Sequence, residues 1–260
     1  MYYLWITCFG IGFTFLMATL GAASVFCFKR QLSLRANTVL LGLSAGLMLA
    51  ACIWSLLLPS AEYAEKNWQN FAFFPVVGGI LLGCLFIFLM DKCFRDKGGG
   101  METRRTRRLF LAVTLHNIPE GLAVGFAFGG AWATGEISAF LAALSLAIGI
   151  GVQNFPEGAA LSLPLYSATK SRKRAFLYSF YSNLVEPIFA MLGVFLSAYL
   201  AEAQAWLLAF AAGAMLFVVC EELIPATLLD VNAEDKERSL GIWCIILGFC
   251  GMLLLEIFLV

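Results

Sequence analysis

His116-Asn117-Ile118-Pro119-Glu120-Gly121 and Gln153-Asn154-Phe155-Pro156-Glu157-Gly158 are nearly the same word, set in two successive stretches that otherwise read as lipid-buried helix. Residues three or four apart on a helix share a face, so His116, Asn117 and Glu120 point one way, as do Gln153, Asn154 and Glu157. Each helix therefore offers one carboxylate flanked by neutral nitrogen and oxygen donors. A proline inside a helix removes the bond to the carbonyl four residues back, which frees the oxygens of Leu115 and Val152 beside the same faces. Irregular backbone at membrane depth is tolerated where it is buried in protein or lines a cavity. Two carboxylates brought face to face cannot both stay ionised unless a cation bridges them. A purely structural reading, with kinked helices and protonated acids, explains neither the repeat nor the histidine.

Composition places these words in a membrane. Of the 260 residues, 61% are hydrophobic and only 13% charged, and mean hydropathy is +0.87. About 20 apolar residues suffice to cross the hydrocarbon core. Apolar runs between polar breaks predict eight spans, at about 3–28, 37–58, 71–91, 109–130, 138–163, 174–200, 205–229 and 241–259. The expected fold is an all-α polytopic membrane protein in one domain over residues 1–260, with a flexible, glycine-containing cytoplasmic loop at about 92–108. That loop ends in the basic run Arg104 to Arg108, read as an interfacial anchor.

Charge sets the expected orientation, because Lys and Arg concentrate in loops that stay cytoplasmic. Sixteen of the 17 basic residues fall after spans one, three, five and seven, and the remaining connections hold only Lys66. Both termini are therefore expected outside the cytoplasm. Lys29 and Arg30 follow the first apolar run rather than precede it, which fits an anchor for an outward N-terminus better than a cleaved signal. The expected location is the cytoplasmic (inner) membrane of a bacterial cell, crossed many times, with a eukaryotic internal membrane as the alternative.

Six carboxylates lie within the spans, namely Glu120, Glu157, Glu186, Glu221, Glu222 and Glu256, and no Lys or Arg accompanies them. An ionised side chain at the bilayer centre costs at least about 2.5 to 3.5 kcal/mol, so acids without basic partners mark a place where something positive resides or passes. The single histidine, His116, lies one turn before Glu120. Imidazole with carboxylate suits zinc and its neighbours better than alkali cations. Glu186, in Ser182-Asn183-Leu184-Val185-Glu186-Pro187, is a third acid for the same cavity. Glu221 and Glu222 sit towards the cytoplasmic end of span seven, and Glu256 reads as interfacial. The eight cysteines show no C-x-x-C spacing and read as small apolar packing residues, Cys220 beside Glu221 being the one candidate thiolate.

A second repeat pairs Ser44-Ala45-Gly46-Leu47-Met48-Leu49, followed by Pro59, with Ala211-Ala212-Gly213-Ala214-Met215-Leu216, followed by Pro225. These copies lie in spans two and seven, which cross in opposite directions. Inverted repeats with Pro- or Gly-interrupted helices point to a transporter whose site lies near the midplane.

With these motifs together, the chain resembles the ZIP (Zrt/Irt-like) divalent metal transporters, most closely their prokaryotic GufA-like branch. The words that carry the resemblance are H-N-x-P-E-G at His116, Q-N-x-P-E-G at Gln153, N-x-x-E-P at Asn183 and E-E-x-x-P at Glu221. The resemblance implies a binuclear metal centre, with one position formed by Met48, His116, Glu120, Gln153 and Glu157. A second would use Asn117, Glu120, Asn154, Glu157 and Glu186, the two shared glutamates bridging. Ser55 would lie on the transport route and Glu221 and Glu222 on the inner exit, with spans one, four, five and six sliding against the other four. Many family members carry histidine where Gln153 stands, some carry aspartate where Asn154 stands, and the histidine-rich cytoplasmic loop of many members is absent. Fewer imidazoles leave cadmium, iron, manganese, cobalt or nickel open beside zinc.

The expected function is transport of a divalent transition metal into the cytoplasm, and no enzyme. The alternatives are an intramembrane zinc-dependent hydrolase, which one histidine serves poorly because catalytic zinc commonly takes several, and a proton-coupled metal exchanger, since clustered glutamates carry protons. The expected partners are metal ions and the lipid bilayer and no nucleic acid, and a homodimer is left open.

Overall fold

The computed structural model describes residues 2–27, 33–94, 101–199, 203–228 and 235–259. Among these residues the chain is helical and no strand occurs. The helices are α1 (Tyr2–Cys27), α2 (Leu34–Ala51), α3 (Leu58–Trp68), α4 (Phe73–Phe94), α5 (Met101–Thr134), α6 (Ile137–Thr169), α7 (Arg172–Asn183), α8 (Val185–Tyr199), α9 (Gln204–Val218), α10 (Ile224–Leu228) and α11 (Asp235–Leu259). A π-helical turn, Cys52–Leu57, joins α2 to α3, and another, Val219–Leu223, joins α9 to α10. Arg104 to Arg108 lie on the first turns of α5, and residues 95–100 of the expected loop are outside the described residues.

Seven segments among the described residues are long and apolar enough to cross a bilayer. The eighth expected span is the apolar part of α5, a helix of 34 residues. Asn117, Pro119 and Glu120 interrupt its apolar run, and most of its described side chains beyond Leu115 are buried by protein rather than turned to lipid. Elsewhere, large apolar side chains such as Leu81, Phe88, Met191, Phe195, Trp243 and Leu247 face outwards, as a lipid environment requires. The protein is thus a multi-pass helical membrane protein.

The helices pack as two blocks. One holds α1, α5, α6 and the α7–α8 pair; the other holds α2–α3, α4, α9–α10 and α11. The most extensive pairings are α1 with α6 and α5 with α8 in the first block, and α4 with α9 and α2 with α11 in the second. The two copies of the second repeat lie on α2 and α9, and the two P-E-G words on α5 and α6. Close approach at glycine makes these pairings. A Cβ on Gly121 would strike the carbonyl of Glu186, and one on Gly158 would strike that of Ala18. The glycines of the two P-E-G words therefore let α5 and α6 lie directly on α8 and α1, the small-residue mode of packing that replaces hydrophobic driving force inside lipid.

The two π turns occupy corresponding places in the repeat and have a common cause. Pro59 and Pro225 lack an N–H and crowd the carbonyls of Ser55 and Glu221, so the α-helical ladder cannot continue through them. The chain accommodates each proline by widening one turn, with the N–H of Leu58 bonding back to Ile53 and that of Ile224 to Val219. Pro187 acts similarly between α7 and α8, where a single turn residue, Leu184, separates the two helices and lets Asn183 and Glu186 project from a break.

Candidate metal-transport site

The polar groups of the two repeated words meet inside the first block. Glu120 and Glu186 are fully buried, and Glu157 exposes 6% of its surface. Gln153, Asn154, Asn117 and Met48 are buried as well. Glu120 lies within electrostatic reach of Glu157 and Glu186, and Glu157 within reach of Glu186 and Glu222. Among the described residues, no basic side chain forms an ion pair with Glu120, Glu157 or Glu186.

Hydrogen bonds orient the set. Gln153 Nε2 donates to Glu120 Oε1 at 2.8 Å, tying α6 to α5. Asn154 Nδ2 donates to Glu186 Oε2 at 2.9 Å, tying α6 to α8. Asn117 Nδ2 donates to the carbonyl of Ser182 at 2.9 Å, and Thr114 Oγ1 and Ser182 Oγ share a bond of 2.8 Å. From the other block, Ser44 Oγ donates to the carbonyl of Gln153 at 3.3 Å.

Five buried acceptor oxygens then remain without a partner: Glu120 Oε2, Gln153 Oε1, Asn154 Oδ1, Glu157 Oε1 and Glu186 Oε1. An orphaned buried polar atom costs about 1 to 3 kcal/mol, and more when charged. Both carboxamides direct their donor nitrogens to a carboxylate and keep their oxygens free. Oxygen-rich and buried, this arrangement is suited to a cation. Among the described residues, no three His, Cys, Asp or Glu side chains are close enough to hold a metal by themselves. The carboxamides of Gln153 and Asn154, each bonded to one of the acids, add free oxygens beside them.

Residues 96–256 match the family model described as ZIP zinc transporter. The chain is 33% identical to the zinc transporter ZIP11 of Homo sapiens, with 95% of each chain covered. It is 34% identical to the zinc transporter GufA of Myxococcus xanthus over 88% of this chain and 91% of that one, and 32% identical to the zinc transporter ZupT of Chlorobaculum parvum over 89% and 90%. The chain belongs to the ZIP family. Members of the ZIP family are named as transporters, which removes the ground for the hydrolase alternative.

The remaining expected residues of this ZIP protein are placed unevenly. His116 lies on α5 one turn before Glu120, and its side chain is outside the described residues, as is that of Glu256. Ser55, in the first π turn, lines a cavity of about 700 Å³ together with Trp54, Glu62, Tyr63, Glu136 and Gln204. Glu221 is exposed and Glu222 half-buried in the second π turn, at the position that corresponds to Ser55 in the inverted repeat. Cys220 is exposed. Four contributors were not singled out by sequence reasoning: Ser44, Ser182, Asn183 and Gln204. Asn183 and Ser182 stand in the quoted word before Glu186, and their proximity to the proline break was the available signal. Ser44 and Gln204 act by reaching a neighbouring helix, which no local pattern encodes.

Proposed function

We propose that this protein carries divalent transition metal, zinc foremost with cadmium, iron and manganese as further substrates, across the cell membrane into the cytoplasm. The observation that carries this reading is the set of five buried, unpartnered oxygens from Glu120, Gln153, Asn154, Glu157 and Glu186. A divalent ion satisfies them together, and a carboxylate shared between two ions lets neighbouring acids remain ionised.

In this reading the centre is binuclear. Met48, His116, Glu120, Gln153 and Glu157 form one position; Asn117, Glu120, Asn154, Glu157 and Glu186 form the other, with Glu120 and Glu157 bridging. The bond from Asn117 Nδ2 to the carbonyl of Ser182 supports this assignment, because it commits the donor end of the carboxamide to the backbone. The carboxylates set the affinity, and the single imidazole and thioether bias it towards borderline metals over Mg²⁺. The asymmetry of Lys and Arg between alternate loops supports outward termini. On that orientation the 700 Å³ cavity opens outwards, Ser55 lies on the approach, and Glu221 and Glu222 lie on the inner exit. Sliding of the first block against the second would carry the loaded site between the two faces.

Purified protein in liposomes tests the reading. Zn²⁺, Cd²⁺, Fe²⁺ and Mn²⁺ are expected to enter saturably down their gradients, Mg²⁺ far more slowly, and all entry is expected to vanish in Glu120→Ala. Metal binding without flux in the unmodified protein would refute transport. Flux that requires an opposing pH gradient would favour the proton-coupled exchanger, for which the clustered acids are the specific observation.

A further inference from the structure

Gln204, the first residue of α9, is 3% exposed and bonded at both ends of its carboxamide to the opposite block. Its Nε2 donates to the carbonyl of Phe126 on α5 at 2.8 Å, and its Oε1 accepts a short bond from Ser197 Oγ on α8. Ser197 is itself fully buried. Gly130 makes room for the contact, since a Cβ there would press on Gln204 Nε2. The same side chain forms part of the wall of the 700 Å³ cavity. A primary amide spanning two helices of one block from the end of a helix of the other is more than space-filling. Leucine would fill the volume, but it would leave Ser197 Oγ and the wall of the cavity without these bonds.

We propose that Gln204 is a polar latch between the two blocks, joining α9 to α5 and α8 and holding the cavity open in the conformation seen here. The proposal rests on the transport reading in one respect: the blocks must change their relative position during the cycle. When they do, both bonds of Gln204 break, because Phe126 and Ser197 travel with the first block. The latch therefore weights the equilibrium between cavity-open and cavity-closed forms. Two buried side-chain hydrogen bonds shift such an equilibrium by about tenfold.

The test reads the cavity directly and does not depend on flux. A reporter cysteine, Ala142→Cys, is placed in the cavity wall, and its reaction with a membrane-impermeant maleimide is followed in proteoliposomes by mass spectrometry of the peptide that carries it. Introducing Gln204→Leu is expected to slow labelling about tenfold, and Ser197→Ala, which removes one of the two bonds, about threefold. Unchanged labelling in both variants would show Gln204 to be static packing and overturn the proposal. Faster labelling would overturn it too, since the residue would then hold the cavity shut. If Gln204→Leu does not fold, Ser197→Ala decides alone by the same two criteria. Absence of zinc flux in the unmodified protein would count against transport while leaving the labelling comparison intact.

Discussion

The two blocks of this molecule bury polar groups in opposite ways. In the first, Glu120, Gln153, Asn154, Glu157 and Glu186 converge and leave five oxygens unpartnered. In the second, the described buried polar side chains mostly bond to backbone: Ser60 Oγ to the carbonyl of Ala205, Thr227 Oγ1 to that of Leu223, and Ser44 Oγ across to Gln153. On the proposed reading the first block binds and the second holds position. Polar satisfaction, rather than hydrophobicity, is what separates them, since both have the same small-residue packing and related sequences.

Perturbing the packing of the first block should have the largest effect. Gly158→Val sets a branched side chain against the carbonyl of Ala18, where no flexible group is available to yield. Folded protein is expected to disappear from the monodisperse peak in size-exclusion chromatography. Recovery of a stable, active variant would show that α1 and α6 do not need this close approach.

The next effect separates binding from folding. Glu157→Ala should leave a folded protein with metal influx reduced by about a hundredfold or more, because a shared carboxylate contributes several kcal/mol to a desolvated cation. Alanine at Glu222, half-buried at the edge of the site, should lower influx by less than about tenfold, as for a partly hydrated contact. Equal losses at the two positions would mean that the binding block does not hold the decisive acids.

Gln153→His sharpens the comparison chemically. Replacing an amide oxygen by an imidazole nitrogen should shift competition between Zn²⁺ and Mn²⁺ towards zinc by about tenfold, since nitrogen suits zinc better than the harder ion. Unchanged selectivity in a competition assay would place Gln153 outside the donor set.

The smallest effects belong to the second block. Ser44→Ala removes one long bond to the carbonyl of Gln153 and should cost about 1 kcal/mol or less of stability. Arg35→Ala breaks the pair with Glu237 at 3.1 Å, and Arg35 is 71% exposed, so thermal melting should barely move.

Much of this was legible in the sequence because two features are local. The P-E-G words say which residues share a helical face, and acids without Lys or Arg in the same apolar stretches point to a cation. The π turns were less legible: Pro59 and Pro225 announce an interruption, but whether a helix answers a proline with a kink, a break or a widened turn depends on its neighbours. Gln204 was invisible, since its bonding partners lie on α5 and α8 and a glutamine at the start of an apolar helix reads as a boundary residue.

X-ray absorption at the zinc edge on the metal-loaded protein tests the central claim most directly. An oxygen- and nitrogen-dominated first shell at about 2.0 to 2.2 Å is predicted, with the bound zinc lost in Glu120→Ala. A shell dominated by sulfur at about 2.3 Å, or the same spectrum retained in Glu120→Ala, would contradict it.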